Sequence, residues 1–168
     1  MFTPALLDNA TGLLAAMRGQ RLTLVTAESC TGGLIAGLFT EIAGASDVID
    51  RGFVTYSNEA KIALLGVPAA LIGQVGAVAR ETAIVMAEGA LARAGTNAAG
   101  SVSVAVTGVA GPGGGTVEKP VGLVHIAAAR TCQPTLHREC RFGAIGRQEV
   151  RMATIIAALD LITVCVAK

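Results

Sequence analysis

The feature that most constrains the fold is that short β-rich runs alternate with helical segments over the first two thirds of the chain. The run RLTLVTA (21–27) leads into a turn and a helix, and GFVTYS (52–57) leads into the short helix EAKIALL. Helices that follow strands in this way pack on the faces of a shared sheet, which predicts an α/β protein. Two later runs, VGLVHIAAAR and TLHRECRF, predict a hairpin turned around Gln133 and Pro134. We therefore expect a three-layer α/β/α sandwich with a mixed, mostly parallel sheet.

The helical segments are recognised by their apolar spacing and by the residues that begin or end helices. They are expected from Pro4 to near Gly19, after the turn in SCTGGLIAGLF, over EAKIALL (59–65), over 80–94 and from about Arg147 to Cys165. Ser29 or Thr31 is the expected N-cap of the second helix, and Asn58 is the expected N-cap of the third. Gly66 and Pro68 are expected to end that third helix.

The composition argues against two classes of partner. Apolar residues make up 52% of the chain, yet it has only four Phe, one Tyr and no Trp. A surface that stacks the bases of single-stranded nucleic acid needs exposed aromatic rings, so we expect no such surface. The formal net charge of +1 creates no overall field toward nucleic acid or a membrane surface. The apolar runs are also too short and interrupted to span a bilayer, so we expect no membrane partner.

The cysteines and the first residues indicate where such a chain works. Four cysteines without CxxC spacing carry neither a metal-site nor a disulfide-framework signature, which suits a reducing compartment. The start, MFTPALLDNATGLLAAMRGQ, has an amphipathic pattern rather than that of a secretory signal. No repeat or linker divides the sequence. We expect a single cytoplasmic domain over residues 1–168, and its Ala-rich helix faces suggest self-association.

The segment TAESCTGG (26–33) lies where a buried strand meets a helix. Such a junction presents a side chain at the edge of the sheet, beside the unpaired N–H groups of the first helical turn. A serine placed there can attack a carbonyl carbon while neighbouring amides hold the developing oxyanion. Ser29, Cys30 and Thr31 are the candidate nucleophiles. Helix capping is the commoner role for Ser29 and Thr31, so both interpretations stay open.

The segment VTYSNEAK (54–61) supplies a candidate base. Lys61 lies one turn into the helix after the second strand, so parallel strands would bring it to the same sheet edge as Ser29. A lysine acts as a base only when neutral, and its ordinary pKa of roughly 10.4 opposes this. Burial or a nearby cation would lower that pKa. An ordinary solvated lysine paired with Glu59 or Asp50 is the alternative.

Two further features could bind an anion. The segment AVTGVAGPGGGTVEKPVG (105–122) can bring its backbone amides close to a ligand, but it matches neither the phosphate-loop nor the dinucleotide pattern. A flexible connection is the alternative for this loop. Arg147 and Arg151 share one face of the last helix near its start, where the helix dipole disfavours cations. An anionic ligand, or a salt bridge to Glu149 or Asp160, is expected to explain them.

The chain resembles the CinA carboxy-terminal-domain family in five motifs that occur in the family's order: AESCTGG, YSNEAK, GVP, AVTGVAGP and EKPVG. This family includes the stand-alone nicotinamide-nucleotide amidohydrolases called PncC. The likeness covers nearly the whole chain. It implies a mixed-sheet α/β/α fold that hydrolyses nicotinamide mononucleotide to nicotinic acid mononucleotide and ammonia, without a metal or other cofactor. It also implies that Ser29 is the nucleophile and Lys61 its partner, with Tyr56 beside them.

The resemblance extends to the walls of the pocket, where Thr107 and Gly108 fall on family positions. The candidate substrate-binding residues are Cys30, Thr31, Gly32, Thr107, Gly108, Gly111, Arg141 and Arg147. We infer that the amides of Cys30 and Thr31 hold the oxyanion. The glycine loop, with Arg141 and Arg147, is the candidate site for the 5′-phosphate of this small-molecule nucleotide substrate.

The sequence departs from the family at one place and leaves two alternatives. The family usually opens its last helix with a GDR-type triplet, whereas FGAIGRQEVR puts Gly146 before Arg147 and carries an extra residue after Phe142. Two-domain members have a further amino-terminal domain, and this chain is expected to be the single-domain form. One alternative makes Cys30 the nucleophile, with Glu28 and Lys61 beside it. The other is a nucleotide-binding or regulatory module without turnover.

Overall fold

The computed structural model describes residues 2–95 and 100–167. The helices are α1 (Pro4–Gly19), α2 (Leu34–Thr40), α3 (Asn58–Leu65), α4 (Ala69–Val75), α5 (Arg80–Ala92) and α6 (Arg147–Val166). The strands are β1 (Thr23–Glu28), β2 (Ile49–Val54), β3 (Ser101–Gly108), β4 (Leu123–Arg130) and β5 (Leu136–Arg141). A short 3-10 turn at Ala45–Asp47 precedes β2. None of the described helices is long and apolar enough to cross a membrane.

The strands form one sheet in the order β2-β1-β3-β4-β5. β1 runs parallel to both β2 and β3, while β4 runs antiparallel to β3 and β5. Among the described strands, β4 alone therefore points against the others. The predicted mixed sheet is confirmed, as is the hairpin of β4 and β5, which turns through Gln133 and Pro134.

Helices cover both faces of this sheet, so the predicted three-layer sandwich is confirmed. On one face, α1, α2 and α6 pack against branched side chains of the strands, among them Leu24, Val104 and Ile126. On the other face, helices from α3 to α5 pack against smaller ones, among them Ala27, Ala105 and Ala127. Small side chains on the strands let the second helix layer approach closely, which compensates for the shortage of aromatic residues.

The helix starts differ from the sequence predictions at two places. α3 begins at Asn58, but its N-cap is Ser57, whose Oγ accepts a hydrogen bond of 3.0 Å from the Ala60 amide. α2 begins at Leu34, after Gly33 in the left-handed region, so neither Ser29 nor Thr31 caps it. These residues lie too far ahead of the helix because the turn between β1 and α2 is longer than predicted.

The remaining boundaries shift by a few residues, and one helix was not predicted. β2 ends at Val54 rather than Ser57 because the chain leaves the sheet to enter α3, although the Thr55 amide still donates to the Glu28 carbonyl at 2.8 Å. Gly66 ends α3 as predicted, with a φ of 71°. The unpredicted helix α4 follows at once, with Pro68 as its N-cap, where the sequence analysis expected only a helix end.

Candidate active site

Ser29 and Lys61 meet at the edge where the parallel strands β1 and β2 end. Ser29 directly follows β1, and Lys61 lies in the first turn of α3, which β2 feeds. The Lys61 Nζ is 3.0 Å from the Ser29 Oγ. Both side chains are buried, at 1% and 8% exposure for Lys61 and Ser29 respectively. The sheet topology thus produces the proximity that the strand order led us to expect.

The surroundings of Lys61 favour its neutral form. Its Nζ lies 2.8 Å from the carbonyl oxygen of Thr55 and 3.5 Å from that of Tyr56. No ion pair within residues 2–95 and 100–167 involves Lys61, and Asp50 is paired with Arg51 instead. Burial lowers the pKa of Lys61, because the ammonium loses water without gaining a carboxylate; the nearby Cys30 thiol acts in the opposite direction.

This geometry suits proton transfer from the serine. A neutral amine has two N–H groups and one lone pair. When the N–H groups of Lys61 point to the carbonyls of Thr55 and Tyr56, the lone pair faces the hydroxyl of Ser29, which can then donate to it. The arrangement is that of a nucleophile with an adjacent general base.

Glu28 takes over the role of helix cap that the sequence analysis gave to Ser29 or Thr31. Its fully buried carboxylate accepts hydrogen bonds of 2.9–3.0 Å from three amides at the start of α2, those of Gly33, Ile35 and Ala36. A negative charge is favoured there by the helix dipole. The hydroxyl of Ser29 is therefore left available to Lys61. A carboxylate next to a strand-to-helix turn was the signal that could have revealed this role.

The structure does not favour Cys30 as the nucleophile. Burial raises the pKa of its thiol to about 11, and the charge of Glu28 adds to that, while the backbone N–H of Cys30, Arg151 and Lys61 act in the opposite direction. A thiol with this pKa stays protonated at neutral pH, and the thiolate is the reactive form. The carboxylate of Glu28 is also occupied by α2, so it does not complete a Cys–Glu–Lys site.

A cavity of about 220 Å³ opens in front of the serine and lysine. It is lined by Ser29, Cys30, Tyr56, Lys61, Ala77, Val78, Thr107, Gly108, Ala110 and Arg147. At its rim, the exposed Arg147 donates to the Tyr56 hydroxyl at 3.0 Å and to the Gly111 carbonyl at 2.8 Å. Tyr56 is 62% exposed. An exposed tyrosine and arginine at the mouth of a buried polar site can contact a ligand that extends outward.

Seven of the predicted site residues line the cavity: Ser29, Cys30, Tyr56, Lys61, Thr107, Gly108 and Arg147. The other four lie beside it. Thr31 is fully buried, with its Oγ1 unpaired among the described residues, and its amide is not open to the cavity, contrary to the inferred role in holding the oxyanion. Gly32 lies in the exposed turn behind it. Gly111 touches the site through Arg147. Arg141 lies on β5, where its Nε donates to Glu139 at 2.7 Å, and it does not line the cavity.

Other residues at the site were not foreseen. Ala77 and Val78 come from the segment between α4 and α5, and the Thr107 hydroxyl holds the Ala77 carbonyl at 2.8 Å. Arg151 donates to backbone carbonyls of the turn after Ser29, where the sequence analysis expected an anionic ligand or an ion pair. Of the two expected ion-pair acceptors, Asp160 is paired with Arg138 instead, and Glu149 forms no ion pair within the described residues.

The two histidines of the chain pair with each other away from the cavity. The imidazole rings of His125 and His137 contact each other, with 3.1 Å between Nδ1 and Nε2, but neither lines the cavity. No group of three or more His, Cys, Asp or Glu side chains within the described chain could hold a metal ion.

Comparisons with known proteins agree with this architecture. A CinA-like protein of Syntrophus aciditrophicus is 49% identical over 152 residues, which are 90% of this chain and 35% of that protein. A CinA-like protein of Geobacter sulfurreducens is 46% identical over 150 residues, which are 89% of this chain and 35% of that protein. The chain therefore spans about a third of the length of the curated relatives it matches.

Two solved structures and a family sequence model each match nearly the whole chain. The competence/damage inducible protein CihA from Agrobacterium tumefaciens has a TM-score of 0.93 and 49% identity, covering 100% of this chain and 99% of that one. A CinA superfamily protein from Klebsiella pneumoniae has a TM-score of 0.88 and 30% identity, covering 96% of this chain and 98% of that one. The sequence model of the CinA C-terminal domain matches residues 8–166. The chain belongs to the CinA C-terminal domain family.

Proposed function

We propose that this protein is a serine amidohydrolase that converts nicotinamide mononucleotide to nicotinic acid mononucleotide and ammonia. The observation that carries the proposal is the distance of 3.0 Å between the Lys61 Nζ and the Ser29 Oγ in a buried site without a paired carboxylate. Such a lysine is available as a base, and the hydroxyl it contacts faces a cavity large enough for an aromatic carboxamide.

The proposed reaction has two halves. Neutral Lys61 takes the proton of Ser29 as the Oγ attacks the carboxamide carbon, and the resulting oxyanion is held by the amide of Cys30, which lines the cavity. Protonated Lys61 then gives its proton to the leaving nitrogen, so that ammonia departs and an acyl-enzyme remains. In the second half, water attacks the acyl carbon, Lys61 takes its proton and returns it to Ser29, and the carboxylic acid product leaves.

Nicotinamide mononucleotide is the proposed substrate because of its electronic character and its shape. The cationic pyridinium ring withdraws electrons from the carboxamide, which makes a serine of modest nucleophilicity sufficient. No carboxylate of the described residues lines the cavity, so none there would favour the charged form of Lys61. With its carboxamide at Ser29, the nucleotide would extend past Tyr56 toward the exposed Arg147, which remains our candidate for the 5′-phosphate.

The test is ammonia release from nicotinamide mononucleotide by the purified protein and two variants. We expect Ser29→Ala to lose at least about 10⁴-fold in kcat, as removal of a nucleophile does, and Cys30→Ala to retain turnover. Isothermal titration of the inactive serine variant would show that binding persists. Turnover by the serine variant would contradict the proposal, and binding by the wild-type chain without ammonia release would favour a non-catalytic module.

A further inference from the structure

Arg151 forms an unusual contact with the turn that carries the nucleophile. It lies in the second turn of α6, and its half-buried side chain reaches the turn between β1 and α2. Its Nε donates to the carbonyl of Cys30 at 3.1 Å, and its Nη2 donates to the carbonyl of Thr31 at 2.8 Å. The planar guanidinium thus holds two consecutive carbonyls, which a lysine cannot do with the same geometry.

These two bonds determine where the neighbouring amides point. In a planar trans peptide the C=O and N–H groups point in opposite directions. Holding the Cys30 carbonyl therefore directs the Thr31 N–H away from Arg151. Holding the Thr31 carbonyl directs the Gly32 N–H to the Ser29 carbonyl, to which it donates at 3.1 Å. That last bond in turn orients the Cys30 N–H. Three successive peptide planes after the nucleophile are thereby fixed.

Of the two amides oriented in this way, that of Cys30 belongs to a residue that lines the cavity, whereas Thr31 is fully buried and does not line it. Within the described part of the chain, the Cys30 N–H donates to no other residue. It follows Ser29 directly, which is where acyl-transfer sites need a donor for the developing oxyanion. The carbonyls of Cys30 and Thr31, by contrast, are both bonded to the same arginine.

We propose that Arg151 is a positioning residue that orients the amide of Cys30 to receive the oxyanion formed at Ser29. It acts through the backbone rather than by touching the substrate. The inference rests on the proposed function, because it presumes that Ser29 attacks an acyl carbon. The Arg151 cation also favours negative charge near this turn, since its field lowers the pKa of the Cys30 thiol. A charge-preserving substitution separates that field from the orientation of the amide.

The experiment compares Arg151→Lys and Arg151→Met with the control Arg138→Met. Arg138 lies on β5, and its guanidinium is paired with Asp160 of α6 at the surface. Kinetics with nicotinamide mononucleotide give kcat and KM, and thermal unfolding reports on the fold. We expect both Arg151 variants to lose about 10²-fold in kcat, in the range for loss of an oxyanion donor, with KM changed less than about threefold. The control should match the wild-type chain.

A second readout does not depend on the natural substrate. A fluorophosphonate probe phosphonylates an activated serine: the Oγ bonds to phosphorus, fluoride leaves, and the base takes the hydroxyl proton. The phosphoryl oxygen gains charge in this step as the carbonyl oxygen does in amide hydrolysis. We therefore expect the labelling rate of Ser29 to fall in the Arg151 variants in proportion to kcat, with Ser29→Ala as the unlabelled control.

The outcomes distinguish the two proposals. If Arg151→Lys keeps wild-type kcat and labelling, the inference is overturned, because charge alone then suffices. A rise in KM with kcat unchanged would overturn it too. If the wild-type chain is labelled at Ser29 but releases no ammonia, the proposed substrate is wrong, and labelling still decides the role of Arg151. A wild-type chain that shows neither reaction refutes both. Should Arg151→Met fail to fold, Arg151→Lys alone decides.

Discussion

At the scale of single residues, Lys61 shows how an ordinary base becomes available at moderate pH. Its ammonium form would be a buried cation that contacts two carbonyls and the Ser29 hydroxyl, with no carboxylate partner among the described residues. Loss of hydration is therefore the largest influence on it, and that influence lowers its pKa. The nearest hydroxyl, that of Ser29, is also the group that needs a base. Burial of Lys61 at the end of β1 therefore both accompanies its contact with Ser29 and favours its neutral form.

This environment predicts a characteristic pH dependence. Lys61 is active when neutral, so kcat/KM for the free enzyme should rise with pH through the lowered pKa of Lys61 and level off above it. The rise should occur below roughly 10.4, the ordinary value for lysine. A pH profile of initial rates measures it. Lys61→Arg should be inactive at every pH, because arginine stays protonated; activity in that variant would refute the assignment of the base.

At the scale of secondary-structure elements, the turn between β1 and α2 depends on Glu28. The carboxylate binds the first amides of α2 from the strand side, so the helix does not require a cap from Ser29. Arg151 holds the carbonyls on the other side of the same turn. Strand end and helix start are thereby joined through a carboxylate and a guanidinium, and the serine is exposed between them to the cavity.

We expect Glu28→Gln to destabilise the fold by roughly 1–3 kcal/mol, because a buried amide accepts fewer of these hydrogen bonds and turns an NH₂ group toward a donor. Urea unfolding followed by circular dichroism measures the change. Glu59→Gln is a suitable control because Glu59 is exposed in the first turn of α3. Equal stability of the two variants would show that the carboxylate is not needed at the start of α2.

At the scale of the whole molecule, the close packing of α3 against α5 determines where Lys61 lies. Gly89 on α5 faces the carbonyl of Leu65 on α3, and a Cβ at that glycine would overlap the oxygen. The small residues of this helix layer, among them Ala83 and Ala87, pack against the Ala-rich face of the sheet. A larger side chain at this contact would push α3 away from β1, and the lysine would move with it.

Gly89→Ala should therefore cost both stability and activity. We expect a loss of about 1–3 kcal/mol from overpacking and a lower kcat, because Lys61 is displaced from Ser29. Gly12→Ala is the matched control: it lies in α1, where the added Cβ meets nothing within 4 Å beyond the local helix backbone, and it should leave activity unchanged and stabilise the helix slightly. Thermal unfolding and the ammonia assay test both. Wild-type behaviour of Gly89→Ala would contradict this packing argument.

The sequence by itself determined the layers, the mixed sheet, the hairpin and the sheet edge at which Ser29 and Lys61 meet. These follow from local periodicity and from the rule that parallel strands end on one side. Only the tertiary structure decided which donor meets which acceptor. Glu28 rather than Ser29 binds the start of α2, and Arg151 binds the carbonyl of Thr31, 120 residues away in the chain. Such pairings depend on groups that no local pattern relates, because their distance is set by the packing of the whole molecule.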